Sequence, residues 1–496
     1  MTDTVTEIRT GTGRTAEVAG VVVPLDHYIN GQRVASADTF DVHSPIDGSL
    51  LGAVARGGQS DVDAAVAAAK AAFPAWAALG PDGRGDILDA FAARIRERND
   101  EIAAVETADN GSLLIGNLKR VVKRGAYNIS FFSDWARSLS HPDIEGDETL
   151  DHVRFDPAGV TALIVPWNAP FMLGTWKVGP ALAAGNTVVV KPPEWAPLTL
   201  SLLGEIADEV GLPAGVLNIV QGIGEEAGAA LVAHPDVKRI SFTGSPETGR
   251  HIAASASVNL TPISFELGGK SPFLVFADAD LDDAARTICS QFVNAGQVCL
   301  AGTRILVDET VADDLLAKVL DTLPKYPLGD PREFATRVGP LIHPEHHARV
   351  AGFVARAIAD GARPIIGGGP SDFGDQWFEP TIFTDVDQSS ELVQNEVFGP
   401  VLTWQTFSTE DDAIALANDT RYGLAAMVYT ANAERADRVG NQLDAGTVWV
   451  NCFFVRNLAS PFGGDGLSGI GREGGTWSFD FFCNVKNLSV RHDSFD

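Results

Sequence analysis

The chain has 496 residues, of which 45% are hydrophobic and 21% are charged, the balance of an ordinary water-soluble protein. This length is enough for a large core and for more than one domain. The net charge of −28 argues against nucleic acid as a partner, because phosphate binding needs clustered Lys and Arg.

Other features of the sequence argue against a membrane, a secretory route and a metal. No stretch approaches the roughly 20 apolar residues that cross a bilayer. Residues 1–14 are polar and lack the apolar segment of a secretory signal, so we expect a cytoplasmic protein whose residues 1–26 form a flexible tail. The four cysteines are too few for a disulfide framework, and neither C-x-x-C nor H-E-x-x-H spacing occurs, so no metal site is predicted.

Helices dominate the first part of the chain. The Asn30-Gly31 pair predicts a hairpin turn between two short strands, where we expect the folded part to begin. Residues 60–73 have the pattern of a capped helix, which Pro74 is expected to interrupt. Further helices are predicted over residues 82–99 and 113–138.

From about residue 158, short apolar strands alternate with helices. The predicted strands are residues 159–165, 187–190, 216–220 and 239–242. One of the intervening helices ends at Gly211, a typical C-cap residue. This alternation predicts parallel pairing and a doubly wound sheet, in which ligands bind beyond the carboxyl ends of the strands.

A second α/β region follows the first. Its predicted strands are residues 274–276, 304–307, 401–404 and 447–450. A Gly-rich region spans residues 461–475, and the chain ends in a strand-like segment, residues 484–490. That segment has no obvious local partner, so it pairs either with a neighbouring subunit or with residues near 151–155.

Two candidate features are weak when each is taken alone. Cys299 lies among small residues that let a substrate approach its sulfur, but a single intracellular cysteine is more often buried and inert. The dinucleotide signature G-x-G-x-x-G is absent at the first strand–helix junction. Phe242-Thr243-Gly244-Ser245 fits either a cofactor loop or a plain tight turn.

Seven short blocks occur in a characteristic order along the chain. They are Pro166-Trp167-Asn168, Lys191-Pro192-Pro193-Glu194, Phe242-Thr243-Gly244-Ser245, Glu266-Leu267-Gly268-Gly269-Lys270, Gly296-Gln297-Val298-Cys299, Glu396-Val397-Phe398-Gly399-Pro400 and Pro461-Phe462-Gly463-Gly464. Together they resemble the aldehyde dehydrogenase superfamily, from about Tyr28 to the C-terminus. Within it, Val455-Arg456-Asn457-Leu458 and Ser468-Gly469-Ile470-Gly471-Arg472 resemble the hydroxymuconic semialdehyde dehydrogenases, in particular the 5-carboxymethyl-2-hydroxymuconate semialdehyde branch.

The resemblance implies an α/β fold with a Rossmann-like cofactor domain, a second α/β catalytic domain and a small β arm for oligomerisation. The implied ranges are 27–138 and 157–266 for the NAD(P)-binding domain, 267–450 for the catalytic domain, 139–156 and 482–496 for the arm, and 451–481 for a Gly-rich segment that returns near the active site. A homodimer or homotetramer is expected.

The same resemblance implies three catalytic residues. Cys299 would be the nucleophile, whose thiolate attacks an aldehyde to give a thiohemiacetal. Asn168 would donate its side-chain amide to the developing oxyanion, together with the Cys299 backbone N–H. After hydride transfer, Glu266 would activate the water that hydrolyses the thioester. The plainer alternatives are an inert thiol, a turn residue at 168, and a Glu266 carboxylate paired to Lys270.

NAD is the implied cofactor, with NADP possible. Lys191 and Glu194 resemble the family's adenosine-ribose ligands, and a carboxylate there repels a 2′-phosphate. Gly244 and Ser245 would lie against the pyrophosphate, and Glu396 would hold the nicotinamide ribose. The remaining cofactor candidates are Trp167, Gly224, Leu267 and Phe398, the last of which is otherwise a core aromatic.

The candidate substrate residues are Arg124, Trp176 and Arg456. Either arginine would bind a substrate carboxylate or be an ordinary surface or interface charge. Two departures bear on the substrate: the customary Lys of the Gly-rich segment is Gly466, and a second Arg common in muconate semialdehyde enzymes is Ala459.

We therefore expect oxidation of an aldehyde to a carboxylic acid, with an aromatic-degradation semialdehyde or an aromatic aldehyde as the substrate. One alternative is a CoA-acylating dehydrogenase, which passes the thioester to a thiol and does not need the hydrolytic base. The other is a catalytically inactive binding protein of the same fold.

Overall fold

The computed structural model describes residues 8–10, 13–492 and 494. Its helices are α1 Gln59–Ala78, α2 Gly80–Glu97, α3 Asn99–Asn110, α4 Leu114–Gly116, α5 Val122–Ser138, α6 Pro170–Ala183, α7 Leu198–Glu209, α8 Ala229–Ala233, α9 Pro246–Asn259, α10 Leu281–Ser290, α11 Ala312–Thr322, α12 Pro344–Ala359, α13 Glu391–Gln394, α14 Glu410–Asn418, α15 Ala433–Gly440 and α16 Gly475–Phe482. Short helical turns of other types span Asn117–Val121, Gly224–Gly228, Val293–Gly296 and Leu323–Lys325.

The strands form two large sheets and several small ones. They are β1 Ile8–Thr10, β2 Gly13–Val18, β3 Val21–Pro24, β4 His27–Ile29, β5 Gln32–Val34, β6 Thr39–His43, β7 Leu50–Ala55, β8 Asp143–Glu145, β9 Thr149–Pro157, β10 Val160–Ile164, β11 Thr187–Lys191, β12 Leu217–Ile219, β13 Val237–Thr243, β14 Ile263–Glu266, β15 Pro272–Val275, β16 Arg304–Asp308, β17 Arg363–Ile366, β18 Thr381–Thr384, β19 Val401–Phe407, β20 Tyr422–Gly423, β21 Ala425–Tyr429, β22 Thr447–Val450, β23 Asp465–Gly466, β24 Gly469–Ile470 and β25 Cys483–Arg491.

The first large sheet has eight strands in the order β24-β14-β13-β10-β11-β12-β4-β5. Its five central strands are parallel, and β10 and β11 are buried along their whole length because helices cover both faces. The chain runs from β10 outward to β12 and then returns to place β13 on the other side of β10. This reversal opens a crevice beyond the carboxyl ends of β10 and β13, the usual ligand position in such sheets.

The second large sheet has seven strands in the order β17-β18-β19-β16-β15-β21-β22, all parallel except β17. Aromatic side chains fill its core, among them the buried Phe273, Phe292 and Phe378. The loop that carries Cys299 lies between α10 and β16. Two α/β units, each built on one of the large sheets, therefore meet at the Cys299 loop.

The terminal strand β25 pairs antiparallel with β9, which also pairs with β8. In this register Val485 lies opposite Phe155, and Leu488 lies opposite His152. Of the two partners considered for this segment, the structure therefore has the one within the chain, at residues 149–157. The three strands form an arm whose residues are mostly exposed or half-buried.

The expectation of a flexible tail over residues 1–26 is wrong for residues 13–26. Strands β2 and β3 form an antiparallel hairpin, whose Val18 and Val23 are buried in the core with Leu51. The polar residues at the start of the chain obscured this alternation of buried and exposed positions. Residues 1–7, 11 and 12 lie outside the described residues.

The expectation that Pro74 interrupts its helix is also wrong, because α1 continues to Ala78. Proline in a helix interior removes one backbone hydrogen bond. The turn beyond it is held by Trp76, which is buried and donates its indole N–H to the Leu182 carbonyl at 3.1 Å. Tertiary packing thus overrides the local preference of proline.

Within the described part of the chain, no single helix is long and apolar enough to cross a membrane. The pair α1 and α2 passes such a test only when joined, and the two helices are bent by 114° at their junction.

Candidate active site

Asn168 and Glu266 lie at the carboxyl edge of the first large sheet. Asn168 follows β10 and precedes α6, while Glu266 is the last residue of β14. The loop that contains Cys299 approaches this edge from the second large sheet, and the Glu266 charge acts on the Cys299 thiol. The fold thus brings together three residues that are far apart in the sequence.

Two hydrogen bonds join Asn168 to the Cys299 loop. The Asn168 side-chain Nδ2 donates to the Gln297 carbonyl at 3.0 Å, and the Asn294 Nδ2 donates to the Asn168 carbonyl at 3.4 Å. A side-chain amide has two N–H groups. One is held by Gln297, so the other can reach an oxygen of a bound substrate.

The backbone before Cys299 is unusual. Asn294, Ala295 and Gly296 have consecutive φ values of +58°, +52° and +68°, in the left-handed region. At Gly296 a side chain would lie 2.2 Å from the Gly399 carbonyl oxygen, so only glycine fits there. Such conformations persist only where the surroundings hold them.

The Gln297 side chain helps to keep this backbone segment in place. It is buried, donates to the carbonyls of Asn294 and Pro340 at 3.0 and 3.3 Å, and accepts the Ile342 N–H at 3.0 Å. On the other side, Gly269 packs so closely that a side chain there would lie 2.4 Å from the Cys299 carbonyl oxygen. The nucleophile candidate is therefore held in one conformation.

The surroundings of Cys299 favour the protonated thiol. Burial, and then the Glu396 and Glu266 carboxylates, raise the pKa of Cys299 to about 12, while the Arg456 guanidinium opposes them. In this arrangement the sulfur carries its proton at neutral pH. A base, or a change in the surrounding charges, is therefore needed to form the thiolate nucleophile.

Glu266 has the environment of a general base. Glu266 is 6% exposed, and neither of its carboxylate oxygens has a hydrogen-bond partner among the described residues. Burial and the negative charge of Glu473 raise the pKa of Glu266 well above its usual value, opposed by Lys177 and Arg456. No ion pair joins Glu266 to Lys270 in the described structure, so that alternative has no contact to support it.

Sequence reasoning missed a buried ion pair behind Glu266. Lys177 Nζ lies 3.2 Å from Glu473 Oε1 and also donates to Ser241 Oγ at 2.8 Å. The indole N–H of Trp176 donates to the other oxygen of Glu473. The only sequence signal was a lysine inside the apolar helix α6. Its partner lies 296 residues away.

Lys191 and Glu194 are the residues predicted to contact the adenosine ribose of the cofactor. Lys191 ends β11 and donates from Nζ to Glu194 Oε2 at 2.6 Å. Burial acts to raise the pKa of Glu194, but the Lys191 charge and the Gly224 backbone N–H outweigh it, so the pKa is lowered. Gly224 lies against the pair, since a side chain there would be 3.6 Å from Glu194 Oε1. The result is a charged carboxylate at the crevice.

Gly244 and Ser245 occupy the turn between β13 and α9. Ser245 caps α9 by accepting the Thr248 N–H at 3.1 Å. Leu267 is buried beside this helix, 3.2 Å from where a Gly249 side chain would begin. The N-terminus of a 14-residue helix at the crevice favours an anionic group such as a pyrophosphate.

Glu396 and Phe398 are the residues predicted to contact the nicotinamide end of the cofactor. Glu396 Oε1 accepts the Gly269 N–H at 2.8 Å, and burial raises the pKa of Glu396 to about 7. Phe398 is half-buried, with its ring 5.2 Å from that of Trp167 at an interplanar angle of 88°. It therefore lines the crevice and does not belong to the fully buried core. Carboxylates at both ends and a helix N-terminus between them fit a dinucleotide.

The substrate candidates surround the ring of Trp176. The Arg456 guanidinium carbon lies 4.2 Å from the Trp176 ring centroid and 3.5 Å from that of Phe462. The Arg124 guanidinium lies 5.9 Å from the same Trp176 ring, with its Nε donating to Asn128 Oδ1 at 2.9 Å. Both guanidinium groups thus lie against the Trp176 ring.

Arg456 has buried donors without partners. Its Nε and Nη2 are buried and make no hydrogen bond within the described residues. Burial and the Arg124 charge lower the pKa of Arg456 to about 10, so it is still charged at neutral pH. Burying an unpartnered charge is unfavourable, which makes this guanidinium a good partner for an anion. Among the described residues, no group of three or more His, Cys, Asp or Glu is placed to hold a metal.

Comparison with known proteins identifies the class. The model of the aldehyde dehydrogenase family matches residues 33–488. The 2-hydroxymuconic semialdehyde dehydrogenase of Pseudomonas sp. (strain CF600) is 41% identical, over 94% of this chain and 99% of that protein. The 2-aminomuconic semialdehyde dehydrogenase of Danio rerio is 40% identical, over 94% of this chain and 98% of that protein.

The fold is also similar to that of a solved structure. The indole-3-acetaldehyde dehydrogenase AldA of P. syringae, in complex with NAD+ and IAA, has a TM-score of 0.93 and 38% identity, over 95% of this chain and 97% of that one. This chain belongs to the aldehyde dehydrogenase family and is an enzyme of that class. The predicted superfamily, fold class and enzyme class are confirmed.

Proposed function

We propose that this enzyme uses NAD to oxidise an aldehyde that also carries a carboxylate, through a covalent adduct on Cys299. The observation that carries the substrate class is the Arg456 guanidinium between the rings of Trp176 and Phe462, whose buried Nε and Nη2 donors have no hydrogen-bond partner among the described residues. Two relatives are named for muconic semialdehydes, a name that denotes a dicarboxylic acid in which an aldehyde replaces one of the two acid groups. An aromatic-degradation semialdehyde is the substrate that combines these features.

The site residues have separate roles in this reaction. After its proton passes to water, the Cys299 thiolate attacks the aldehyde carbon, and the second N–H of Asn168 with the Cys299 backbone N–H stabilises the oxyanion. Donors of this kind typically contribute about 3 kcal/mol each to the transition state. Bound NAD supplies the hydride acceptor. Glu266 then takes a proton from the water that hydrolyses the Cys299 thioester and releases the acid.

The presence of Glu266 also bears on the alternatives. A CoA-acylating enzyme transfers its acyl group to a thiol and does not need a base for water. The isolated, buried carboxylate of Glu266, with its raised pKa, is better suited to activating water. Hydrolysis to the free acid is therefore the favoured outcome.

The cofactor preference rests on Glu194. Its lowered pKa keeps a negative charge where the adenosine ribose is proposed to bind, and that charge repels the 2′-phosphate of NADP. The AldA structure, which is similar over nearly the whole chain, contains NAD+. NAD is thus the proposed cofactor, with NADP as a weaker one.

The arm supports an assembly of identical chains. Exposed apolar side chains lie on each of its outer strands: Ile144 is 55% exposed, Val485 57% and Leu488 52%. Apolar surface of this kind on a projecting sheet is usual where a second subunit packs. We infer a homodimer or a homotetramer.

The substrate class is tested with aldehydes that differ in one group. We expect purified enzyme with NAD to have a kcat/KM at least tenfold higher for para-carboxybenzaldehyde than for para-methylbenzaldehyde, measured from the absorbance of reduced NAD. Arg456→Met should raise the KM for the carboxylated aldehyde at least tenfold, because a charge-assisted contact is lost. It should leave the KM for the methyl compound nearly unchanged.

Arg286→Met is the matched control, since Arg286 is an exposed arginine that pairs with Asp283. It should behave like the wild type with both aldehydes. Equal KM changes for the two aldehydes in Arg456→Met would contradict the carboxylate role. Absence of turnover with any aldehyde and either cofactor would contradict the proposed reaction itself.

A further inference from the structure

Three consecutive backbone carbonyls are held by two side chains of α12. Arg349 donates from Nη2 to the Glu396 carbonyl at 2.7 Å and from Nη1 to the Val397 carbonyl at 2.5 Å. His346 Nε2 lies 2.8 Å from the Phe398 carbonyl oxygen. A carbonyl can only accept, so Nε2 carries the proton in this contact. His346 and Arg349 are three residues apart and therefore lie on one face of the helix.

The segment that they hold is not in a relaxed conformation. Phe398 has a φ of +59°, in the left-handed region that bulky residues rarely adopt. The next residue, Gly399, presses its carbonyl against Gly296, within the loop that precedes Cys299. A shift of the Glu396–Phe398 segment would therefore move both the Glu396 carboxylate and a wall of the nucleophile loop.

The two side chains are themselves held by packing. His346 is 5% exposed, with its ring 5.1 Å from that of Trp167 and 6.2 Å from that of Phe398. The Arg349 guanidinium lies 4.9 Å from the Phe353 ring centroid. The backbone of residues 396–398 is thus fixed from α12, while the Glu396 side chain is fixed separately by the Gly269 N–H.

We propose that Arg349 and His346 are positioning residues for the nicotinamide half of the cofactor. By holding the backbone of residues 396–398, they keep the Glu396 carboxylate directed at the ribose and the Phe398 ring beside Trp167. This inference rests on the proposed function, because it requires a dinucleotide in the crevice. The adenosine half, at Lys191 and Glu194, lies on the other large sheet, and neither Arg349 nor His346 makes a hydrogen bond to it.

The proposal predicts that a substitution at Arg349 weakens binding of the nicotinamide half of the cofactor and not of the adenosine half. In Arg349→Met, two hydrogen bonds from a charged donor are lost, and the affinity for NADH should fall about tenfold. The affinity for AMP, which has only the adenosine half, should not change. NADH binding is followed by its fluorescence, and AMP binding by calorimetry. In steady state, the KM for NAD should rise by a larger factor than the KM for the aldehyde.

Arg356→Met is the matched control. Arg356 lies on the same helix, its guanidinium is 5.0 Å from the same Phe353 ring, and it pairs with Glu391 instead of backbone carbonyls. It should bind NADH and AMP like the wild type. At position 346, His346→Gln keeps an N–H donor and should retain more NADH affinity than His346→Ala.

Two results would overturn the proposal. One is an equal loss of NADH and AMP affinity in Arg349→Met, which would mean a general structural role. The other is the same loss of NADH affinity in Arg356→Met. A wild-type protein that binds neither NADH nor AMP would instead overturn the proposed function, and this inference with it.

Discussion

At the scale of single residues, burial is the largest cause of the raised pKa of Cys299, and the charges around the thiol come second. Two carboxylates, Glu266 and Glu396, act to keep the thiol protonated, and Arg456 is the cation that opposes them. The same guanidinium also opposes the rise in the pKa of Glu266 that burial and the Glu473 charge cause. In the proposed mechanism, a single arginine thus links substrate recognition to the protonation of both the nucleophile and the base.

The pH dependence of hydrolysis follows from Glu266. A general base acts only when deprotonated, and burial with the Glu473 charge raises the pKa of Glu266. The hydrolysis rate should therefore increase as the pH rises through that raised pKa. Lys177→Met removes a positive charge that lowers this pKa, so the acid limb of the kcat profile should move to higher pH.

Lys70→Met is the control for that change, since Lys70 is an exposed lysine paired with Asp236 on the surface. Its kcat profile should coincide with that of the wild type. An acid limb that stays in place, or moves to lower pH, in Lys177→Met would refute the electrostatic link to Glu266. Thermal unfolding of the variant, measured beside the profile, separates this effect from loss of fold.

At the scale of elements, the arm is the feature on which the proposed assembly depends. Strands β8, β9 and β25 project with apolar residues on the surface, and Arg239 anchors the start of β25. Its Nε donates to the Phe481 carbonyl at 2.6 Å, and its Nη2 donates to the Cys483 carbonyl at 3.0 Å. The arm is thus fixed at its base, while the apolar side chains on its outer strands are exposed.

Charging the outer surface of the arm should break the assembly. We expect the double substitution Val485→Lys and Leu488→Lys to lower the mass measured by sedimentation to that of a smaller species, because burying lysines at an interface is unfavourable. Phe373→Lys, at a 54% exposed site in the loop between β17 and β18, should leave the mass unchanged. An unchanged mass in the double variant would rule out the arm as the interface.

Some elements were predictable because their signals are local. The strands before Asn168 and Lys191 are short apolar runs, and their burial on both faces matches a parallel sheet. The N-terminal hairpin was missed because its few alternating positions follow a polar start. Pro74 was misread because the packing of Trp76, which holds the helix beyond it, depends on a distant residue.

At the scale of the whole molecule, the active site lies where two α/β units meet. The ordered blocks of the sequence identified the residues at this meeting point, since each block lies at a strand end or in a constrained loop. Sequence alone did not identify the buried ion pair of Lys177 and Glu473. Nor did it identify the hydrogen bonds from α12 to the backbone of residues 396–398. Those contacts depend on tertiary packing, which no local pattern encodes.

The central claim is that the aldehyde becomes an acyl group on Cys299 before it leaves as an acid. The most direct measurement uses Glu266→Gln, in which the hydrolytic base is removed, mixed with NAD and the carboxylated aldehyde and analysed by intact-protein mass spectrometry. We predict a mass increase equal to one acyl group, located on the peptide that contains Cys299 and absent when Cys299→Ser is added. An adduct on Cys452, or rapid turnover without any adduct, would contradict the account.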